Sequence, residues 1–376
     1  LPAPPLTAAP AATDDRPWND RAFVSTHGGF ADEGRLVCIN LSPRHPVLNP
    51  YDPGDVVWSA DTGSSAGGSP ACHDGVVYVC STGLHDDGHG RILAFDARAT
   101  ATPAPRWVFR NPEPNGFFGG LAVRETLDGL AIYAATYSYY GGTASANMVK
   151  VNARDGSLLW SVPCNRTDSI PVVLDDCRIA LSSGIVGFGS VPMVELFHDY
   201  GDHAERLWDT ATATWNDANA NGAMDFGEFT VLGGWTTQPV AARGPHGRPR
   251  LLVGSIPIAG DPFGPYTGLY ELDLDRTPGE PGFIVQHTAA AGSTPAMLGS
   301  GVYSLGVTGL AALGAPPPRP DVNGDGRIDV DDLHAWTRGT GFLDVDRSGS
   351  VDAADQAALL YELRRNELRD AARGRR

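Results

Sequence analysis

The chain has 376 residues with 42% hydrophobic and 19% charged side chains, a globular composition with enough length for a large buried core. Its 46 Gly and 30 Pro exclude a mainly helical protein and predict many turns between short strands. The net charge of −16 excludes nucleic acid or an anionic membrane as the main partner, because phosphate binding needs a basic face, and it suits a protein that binds cations.

The chain starts LPAPPLTAAPAATDDRP, without a charged segment followed by an apolar one, as expected of a mature or trimmed chain whose targeting signal, if any, is gone. Residues 1–19 read as a Pro/Ala-rich linker. No stretch approaches the 18 or so apolar residues of a membrane span, so no membrane insertion is expected. A degenerate repeat then runs to about residue 313. It opens mid-unit at FVSTHG, GRLVCINL and VVWSADTG. The next unit is SPACHDGVVYVCSTG from Ser69, GRILAFDA and RWVF; later copies start at Gly120, Ser169 and Gln238, and the last is cut short at GLAAL. Period-two alternation with β-branched and aromatic residues makes strands, and Asp74-Gly75 and Asp155-Gly156 make tight turns. Up to four short antiparallel strands per unit, at intervals of roughly 40–50 residues, predict an all-β propeller of five or six four-stranded blades. Trp58, Trp107, Trp160 and Trp208 recur at one place in successive units and are expected to pack between blades. The cysteines (Cys38, Cys72, Cys80, Cys164, Cys177) read as buried small hydrophobes on strands, with one disulfide such as Cys164–Cys177 as the alternative. Lys150, the only lysine, reads as composition bias.

The order ALD…DG…W…SP…G.VYV over residues 20–313 resembles the pyrroloquinoline-quinone (PQQ) repeat, the blade type of quinoprotein-like propellers. That resemblance implies the fold. It does not bring the cofactor: quinone-holding members have adjacent cysteines and more blades, and this chain has no adjacent cysteines and is too short for eight blades. PQQ is therefore not expected, and fold alone does not assign function.

Within the repeat region, DANANGAMDFGE (217–228) has the spacing of a twelve-residue calcium loop. Calcium takes six to eight oxygens, supplied from positions 1, 3, 5, 7, 9 and 12, with Gly at 6 for the sharp turn. Those positions are Asp217, Asn219, Asn221, the Ala223 carbonyl, Asp225 and Glu228, with Gly222 at the turn; one calcium is expected, pinning an insertion. A Pro-rich linker (314–320) leads to DVNGDGRIDVDD, with Asp321, Asn323, Asp325, the Arg327 carbonyl, Asp329 and Asp332 as donors and Gly326 at the turn. Twenty-three residues later, DVDRSGSVDAAD offers Asp344, Asp346, Ser348, the Ser350 carbonyl, Asp352 and Asp355, with Gly349. Two calcium ions are expected there. A metal-free Asx-rich turn is the alternative at each loop.

Helices are expected at Leu333–Arg338 and from Gln356 to about Arg369, sharing a small core of Leu333, Trp336, Leu359, Leu360 and Leu363. Duplicated calcium loops ending in Asp, each feeding one helix, resemble a type I dockerin over residues 321–366, followed by a basic tail (367–376). The resemblance implies docking onto a cohesin-like domain of a scaffold or surface protein, with Val330, Asp331, Ala353, Ala354 and nearby helix faces as contacts.

Other polar clusters read as surface structure: HDDGHG (85–90) and HDYGDH (198–203) as exposed turns, and Asp96, Glu195, Asp209 and Glu271 as hydrogen-bonding strand acids rather than a glycosidase pair. The resulting expectation is a secreted, non-catalytic calcium-binding propeller with an unidentified ligand or protein partner, docked through its tail to a cohesin-type scaffold or the cell surface. The alternatives are a polysaccharide-active enzyme of an extracellular complex and, third, a quinone-dependent oxidoreductase.

Overall fold

The computed structural model describes residues 7–9, 20–27, 33–138, 145–174, 176–185, 190–243, 248–255, 268–298, 301–306, 309–313, 320–345 and 351–373. Most of the N-terminal linker, the linker residues 314–319 and the donors Asp346, Ser348 and Ser350 lie outside the described residues.

Strands dominate, grouped into sheets in chain order. The first sheet holds β1 (Thr7–Ala9), β2 (Arg21–Ser25), β3 (Gly34–Asn40) and β4 (Val56–Gly63); the second holds β5 (Ala71–His73), β6 (Val76–Ser81), β7 (Arg91–Asp96) and β8 (Trp107–Arg110). The third is β9 (Ala122–Thr126), β10 (Gly129–Ala135), β11 (Ala146–Asn152) and β12 (Leu158–Cys164). The fourth is β13 (Val172–Val173), β14 (Arg178–Ser183), β15 (Met193–Asp199) and β16 (Ala204–Asp209). A fifth comprises β17 (Val240–Arg243), β18 (Pro249–Gly254), β19 (Leu269–Asp273) and β20 (Ile284–Thr288), and β21 (Ala296–Leu298), β22 (Gly301–Gly306) and β23 (Gly309–Leu313) make a three-stranded sheet. The four-stranded sheets are antiparallel meanders, the topology of propeller blades. β1 is a correction to the sequence reading, which placed it in a linker; a strand of three residues is too short to show a period.

The middle sheets explain why their strands read as nearly continuous apolar runs. Along β6, Val77 and Val79 pack with Phe23, Leu36 and Trp58 of the first sheet, whereas Tyr78 and Cys80 pack with Ile132 and Val149 of the third. Alternate side chains thus enter two different cores. The pattern continues: Tyr133 joins Ile179 and Phe197 of the fourth sheet, and Ala180 and Leu196 join Leu251 and Leu272 of the fifth. The repeated tryptophans sit on the last strand of their sheets and reach forward to the next. Trp58 lies 6.2 Å from Phe95, Trp208 meets Phe283 edge-on at 5.2 Å, the Trp107 indole N–H donates to the Ala153 carbonyl (3.2 Å) and that of Trp160 to Asp199 (3.0 Å). Asp74 and Gly75, at φ +43° and +73°, form the tight turn expected of Asp-Gly between β5 and β6.

The chain divides into two compact units, one of residues 1–295 with 305–309 and one of 296–304 with 310–376. In the second, α2 (Val330–Thr337) and α3 (Ala353–Arg373) surround Val322, Val345 and Leu359, with Leu333, Trp336 and Leu363 packed against them. Leu360, expected in that core, is 46% exposed. Both helices start three residues earlier than expected, within the last turn of their acidic loops. For α2 the cause is a capping box, in which Asp329 caps the amide end and Asp332 reaches back to the Asp329 N–H. A further short helix, α1 (Thr210–Thr214), is capped by Asp209, whose carboxylate accepts the Thr212 N–H at 2.7 Å. All five cysteines are free; Cys38, Cys80 and Cys164 are buried, but Cys177 is exposed in a turn at φ +65° rather than buried on a strand, so the Cys164–Cys177 bridge is not formed.

Candidate functional site

The acidic loops are held in shape by their own carboxylates. In the loop that starts at Asp321, that residue's carboxylate accepts the N–H groups of Gly324, Asp325 and Gly326 at 2.8–3.1 Å, and Gly326 turns the chain at φ +83°. The buried Asp332 accepts from Val322 (2.7 Å), Asn323 (3.2 Å) and Asp329 (2.9 Å). The insertion repeats this scheme. Asp217 accepts from Asn221 and Gly222, and Glu228 accepts from Ala218, Asn219 and Asp225 at 3.0–3.3 Å, with Gly222 at φ +72°. In the loop from Asp344, Asp355 is buried and accepts the Asp352 N–H at 2.7 Å. One bond therefore recurs in all three loops: the N–H at position 9 donates to the carboxylate at position 12. Donors from the Asn219 and Asn221 amides hold the Asp225 carboxyl below its usual range. Among the described residues, no three His, Cys, Asp or Glu side chains converge on one point that could hold a metal. The donor set is nonetheless all oxygen, which fits a hard cation; Asp217, Asp321 and Asp332 keep lone pairs beyond those their amides occupy, whereas Glu228 also accepts the Trp215 indole N–H at 3.3 Å.

A different centre lies within the larger unit. A cavity of about 250 Å³ is bounded by His27, Thr82, Phe118, Tyr137, Asp168 and Trp235, with Ser64 to Ala66 and Leu84 completing it among the described residues. These residues leave or approach the ends of strands in successive sheets: Ser64 follows β4, Thr82 follows β6, Tyr137 follows β10 and Asp168 follows β12. The rings form a cluster, with Tyr137 5.1 Å from Phe118 and 5.3 Å from Trp235, and the Arg166 guanidinium 5.1 Å over the Tyr137 ring. Asp168 is anchored by its backbone, whose N–H donates to the Trp235 carbonyl at 2.8 Å, while its buried Oδ1 has no hydrogen-bond partner. Desolvation alone pushes its carboxyl up to about 8.

Sequence reasoning missed this site. The signal that could have found it is positional. A Cβ added at Gly68 would come within 1.8 Å of the Gly119 carbonyl, and one at Gly119 within 2.1 Å of the Asp168 carbonyl. Glycine is thus required where successive sheets approach, and Asp168, which faces Trp235 in turn, occupies the corresponding place in the fourth sheet.

A third polar centre corrects two readings, that of Lys150 as mere composition and that of HDYGDH as an exposed turn. Lys150 is buried, and its ammonium lies 2.9 Å from Asp199 Oδ2 and donates to the Gly201 carbonyl at 3.2 Å. Asp199 also accepts from the Tyr133 hydroxyl (2.7 Å), the Trp160 indole (3.0 Å) and the Gly201 N–H (2.9 Å). Burial pushes the Asp199 carboxyl up, but these donors outweigh it and hold it below the usual range; burial and Asp199 together raise the Tyr133 phenol. The rest of HDYGDH is a surface ring stack, with Tyr200 4.8 Å from His203. In HDDGHG, Asp86 pairs with Arg91, and Asp87 pairs with Arg91 and Arg110, its carboxyl lowered to about 2 chiefly by the Arg110 hydrogen bond.

The strand acids are each engaged. Asp96 pairs with Arg106, Glu195 with Ser183 and Arg206, Asp209 caps α1, and Glu271 pairs with Arg250 and His287. Burial raises Glu195 despite those partners.

Taken together, fold and sites define a mostly-β repeat protein of propeller-type sheets with acidic turn-forming loops. A family model described as outer membrane protein assembly factor BamB, of the PQQ-repeat type, matches residues 6–184. No curated protein matches the chain. Among solved structures, BamB from Moraxella catarrhalis is similar at 13% identity and TM-score 0.43, over 83% of this chain and 73% of that one. A europium-containing methanol dehydrogenase gives 11% and 0.37, over 84% of this chain and 50% of that one, so the chain spans about half its length. The β-propeller domain of the Trilobed protease from Pyrococcus furiosus gives 7% and 0.39, over 83% and 86%. No helix among the described residues is long and apolar enough to cross a membrane.

Proposed function

We propose that this is a secreted, non-catalytic binding protein in which propeller-type sheets carry a ligand pocket at Asp168 and calcium orders the acidic loops, the C-terminal pair serving as a dockerin-like module for a cohesin-like partner. The observation that carries the calcium reading is the hydrogen bond from position 9 to position 12 shared by all three loops. Asp321, Asn323, Asp325, Asp329 and Asp332, with the Arg327 carbonyl, would hold one ion. Asp344, Asp346, Ser348, Asp352 and Asp355, with the Ser350 carbonyl, would hold the second, and Asp217, Asn219, Asn221, Asp225 and Glu228, with the Ala223 carbonyl, the third. Calcium there neutralises carboxylates that otherwise repel one another and pins the loop; millimolar extracellular calcium would fill even weak sites. Val330, 57% exposed beside the mostly exposed Asp331 at the start of α2, supports a docking role for that end of the module. The pairing of the strand acids with basic or capping partners supports a binder over a polysaccharide-active enzyme.

Calcium titration calorimetry on the full chain tests the reading. Three sites are expected, falling to one when Asp321→Ala and Asp344→Ala are combined and to two with Asp217→Ala alone. A stoichiometry unmoved by these substitutions would remove the calcium module and with it the cohesin-type partner.

A further inference from the structure

We infer that the cavity at Asp168 is built for an organic ammonium group, held between the Asp168 carboxylate and the aromatic faces of Tyr137, Trp235 and Phe118; this rests on the reading of the cavity as the ligand pocket. Three observations converge on that chemistry. The Asp168 Oδ1 is buried without a hydrogen-bond partner, and a buried acceptor in that condition costs free energy that a ligand donor or cation would recover. Phe118 and Trp235 are each tilted against Tyr137, with centroids 5.1 and 5.3 Å from it, so neither ring stacks flat on it. Aromatic faces attract cations, most strongly where water is excluded, and the Tyr137 ring already hosts the Arg166 guanidinium at 5.1 Å. The hydroxyl groups nearby are occupied. Thr82 donates to the Ser64 carbonyl, Ser64 Oγ accepts the His85 N–H, and Ser65 Oγ accepts the Gly67 N–H. Among the described residues lining the cavity, Asp168 Oδ1 is a buried acceptor with an open demand.

Desolvation keeps Asp168 protonated near neutral pH when the cavity is empty, and a bound cation would offset that desolvation and favour the carboxylate. The volume of about 250 Å³ admits a trimethylammonium head with a short tail, and polymer-sized ligands would enter only by such an end group.

The test uses the full chain and two probes of the same shape, choline and its uncharged isostere 3,3-dimethylbutan-1-ol, with binding read by calorimetry and by tryptophan fluorescence. Choline is expected to bind about tenfold or more tightly than the alcohol, and to lose about tenfold or more in Asp168→Asn and in Trp235→Leu, both checked for native circular dichroism. The comparison of the two probes on the unmodified protein needs no variant and so survives a folding failure. Equal binding of alcohol and choline, or choline binding unchanged in Asp168→Asn, overturns the ammonium inference while leaving the ligand pocket standing. No binding of either probe up to about 10 mM overturns both.

Discussion

Replacing Lys150 with Met should destabilise the sheets far more than the loss of any surface ion pair. The Lys150 side chain is 1% exposed and Asp199 6%, and the ammonium spans two sheets, from β11 to the last residue of β15. Met matches the stem but removes the charge, so the Asp199 carboxylate stays buried with three neutral donors from Tyr133, Trp160 and Gly201. Removing one partner of a buried pair costs about 3–5 kcal/mol, because the other charge is left uncompensated. Asp199 has a depressed pKa in the folded protein, so its contribution is present above its unfolded value of about 3.9 and is lost as pH falls through the folded value. Without Lys150 the desolvation of Asp199 is less opposed and its pKa rises. The deficit of Lys150→Met should therefore be largest near pH 7 and shrink as Asp199 becomes protonated at lower pH. Guanidinium unfolding followed by tryptophan fluorescence, at pH 7 and pH 5, measures both quantities. The exposed pair Arg44–Asp52, at 3.7 Å, supplies the contrast: Arg44→Ala should cost less than about 1 kcal/mol. A loss for Lys150→Met of that same small size, or one independent of pH, would refute the reasoning.

Trp58→Ala should cost about 3–5 kcal/mol in the same unfolding assay, since the ring is 3% exposed between Phe23 and Phe95. Gly156→Ala should cost about 1–3 kcal/mol: the residue sits at φ +75° and a Cβ would come within 2.6 Å of the Trp107 ring, so a neutral result would mean the loop re-forms elsewhere. Asp168 is an acid whose folded pKa of about 8 lies above its unfolded value, so the folded protein holds the proton more tightly and stability falls as pH rises from about 4 to 8. Asp168→Asn removes that slope and should gain on the parent protein across this window; parallel stability curves would contradict the burial of the carboxyl. Chelation by EGTA should lower the helical circular dichroism contributed by α2 and α3, because among the described residues their small cluster holds just Val322, Val345 and Leu359 fully buried; an unchanged spectrum would show that the module folds without calcium.

What repeats in this chain was legible before any coordinates. Period-two alternation announces strands whether or not the partner sheet is known, and the phased tryptophans could be assigned to inter-sheet packing because each unit presents the same surface to the next. Two of the acidic loops, 217–228 and 321–332, were legible for a related reason: the carboxylates at positions 1 and 12 accept backbone N–H groups within twelve residues, that of the glycine at position 6 among them, so spacing alone carries that geometry. β1 escaped because three residues cannot establish a period, and the early start of α2 escaped because Asp329 serves both loop and helix cap. The polar centres escaped for a deeper reason. Lys150 and Asp199 are 49 residues apart, and MVKVN on β11 looks like any other strand unless one knows that both of its faces are covered.

The same contrast bears on where function resides. A repeat fold spends most of its sequence on satisfying identical interfaces, so a residue that follows the pattern reports on packing. Gly68 and Gly119 follow it, each allowing the backbone of the next sheet to pass at close range. Asp168 departs from it by placing a carboxyl with a buried, unpartnered Oδ1 at the cavity, and Trp235, next in that succession, brings an aromatic ring to the same cavity. The carboxyl does not improve the interface: it costs stability above pH 4, and its Oδ1 satisfies nothing in the fold. Lys150 and Asp199 also depart from the pattern, but they compensate each other at 2.9 Å and tie two sheets together. Compensation separates the two cases, since a buried charge with its partner in the fold is explained by the fold. A carboxyl whose buried Oδ1 has none, lining a cavity among aromatic rings, is what the proposed ligand would account for.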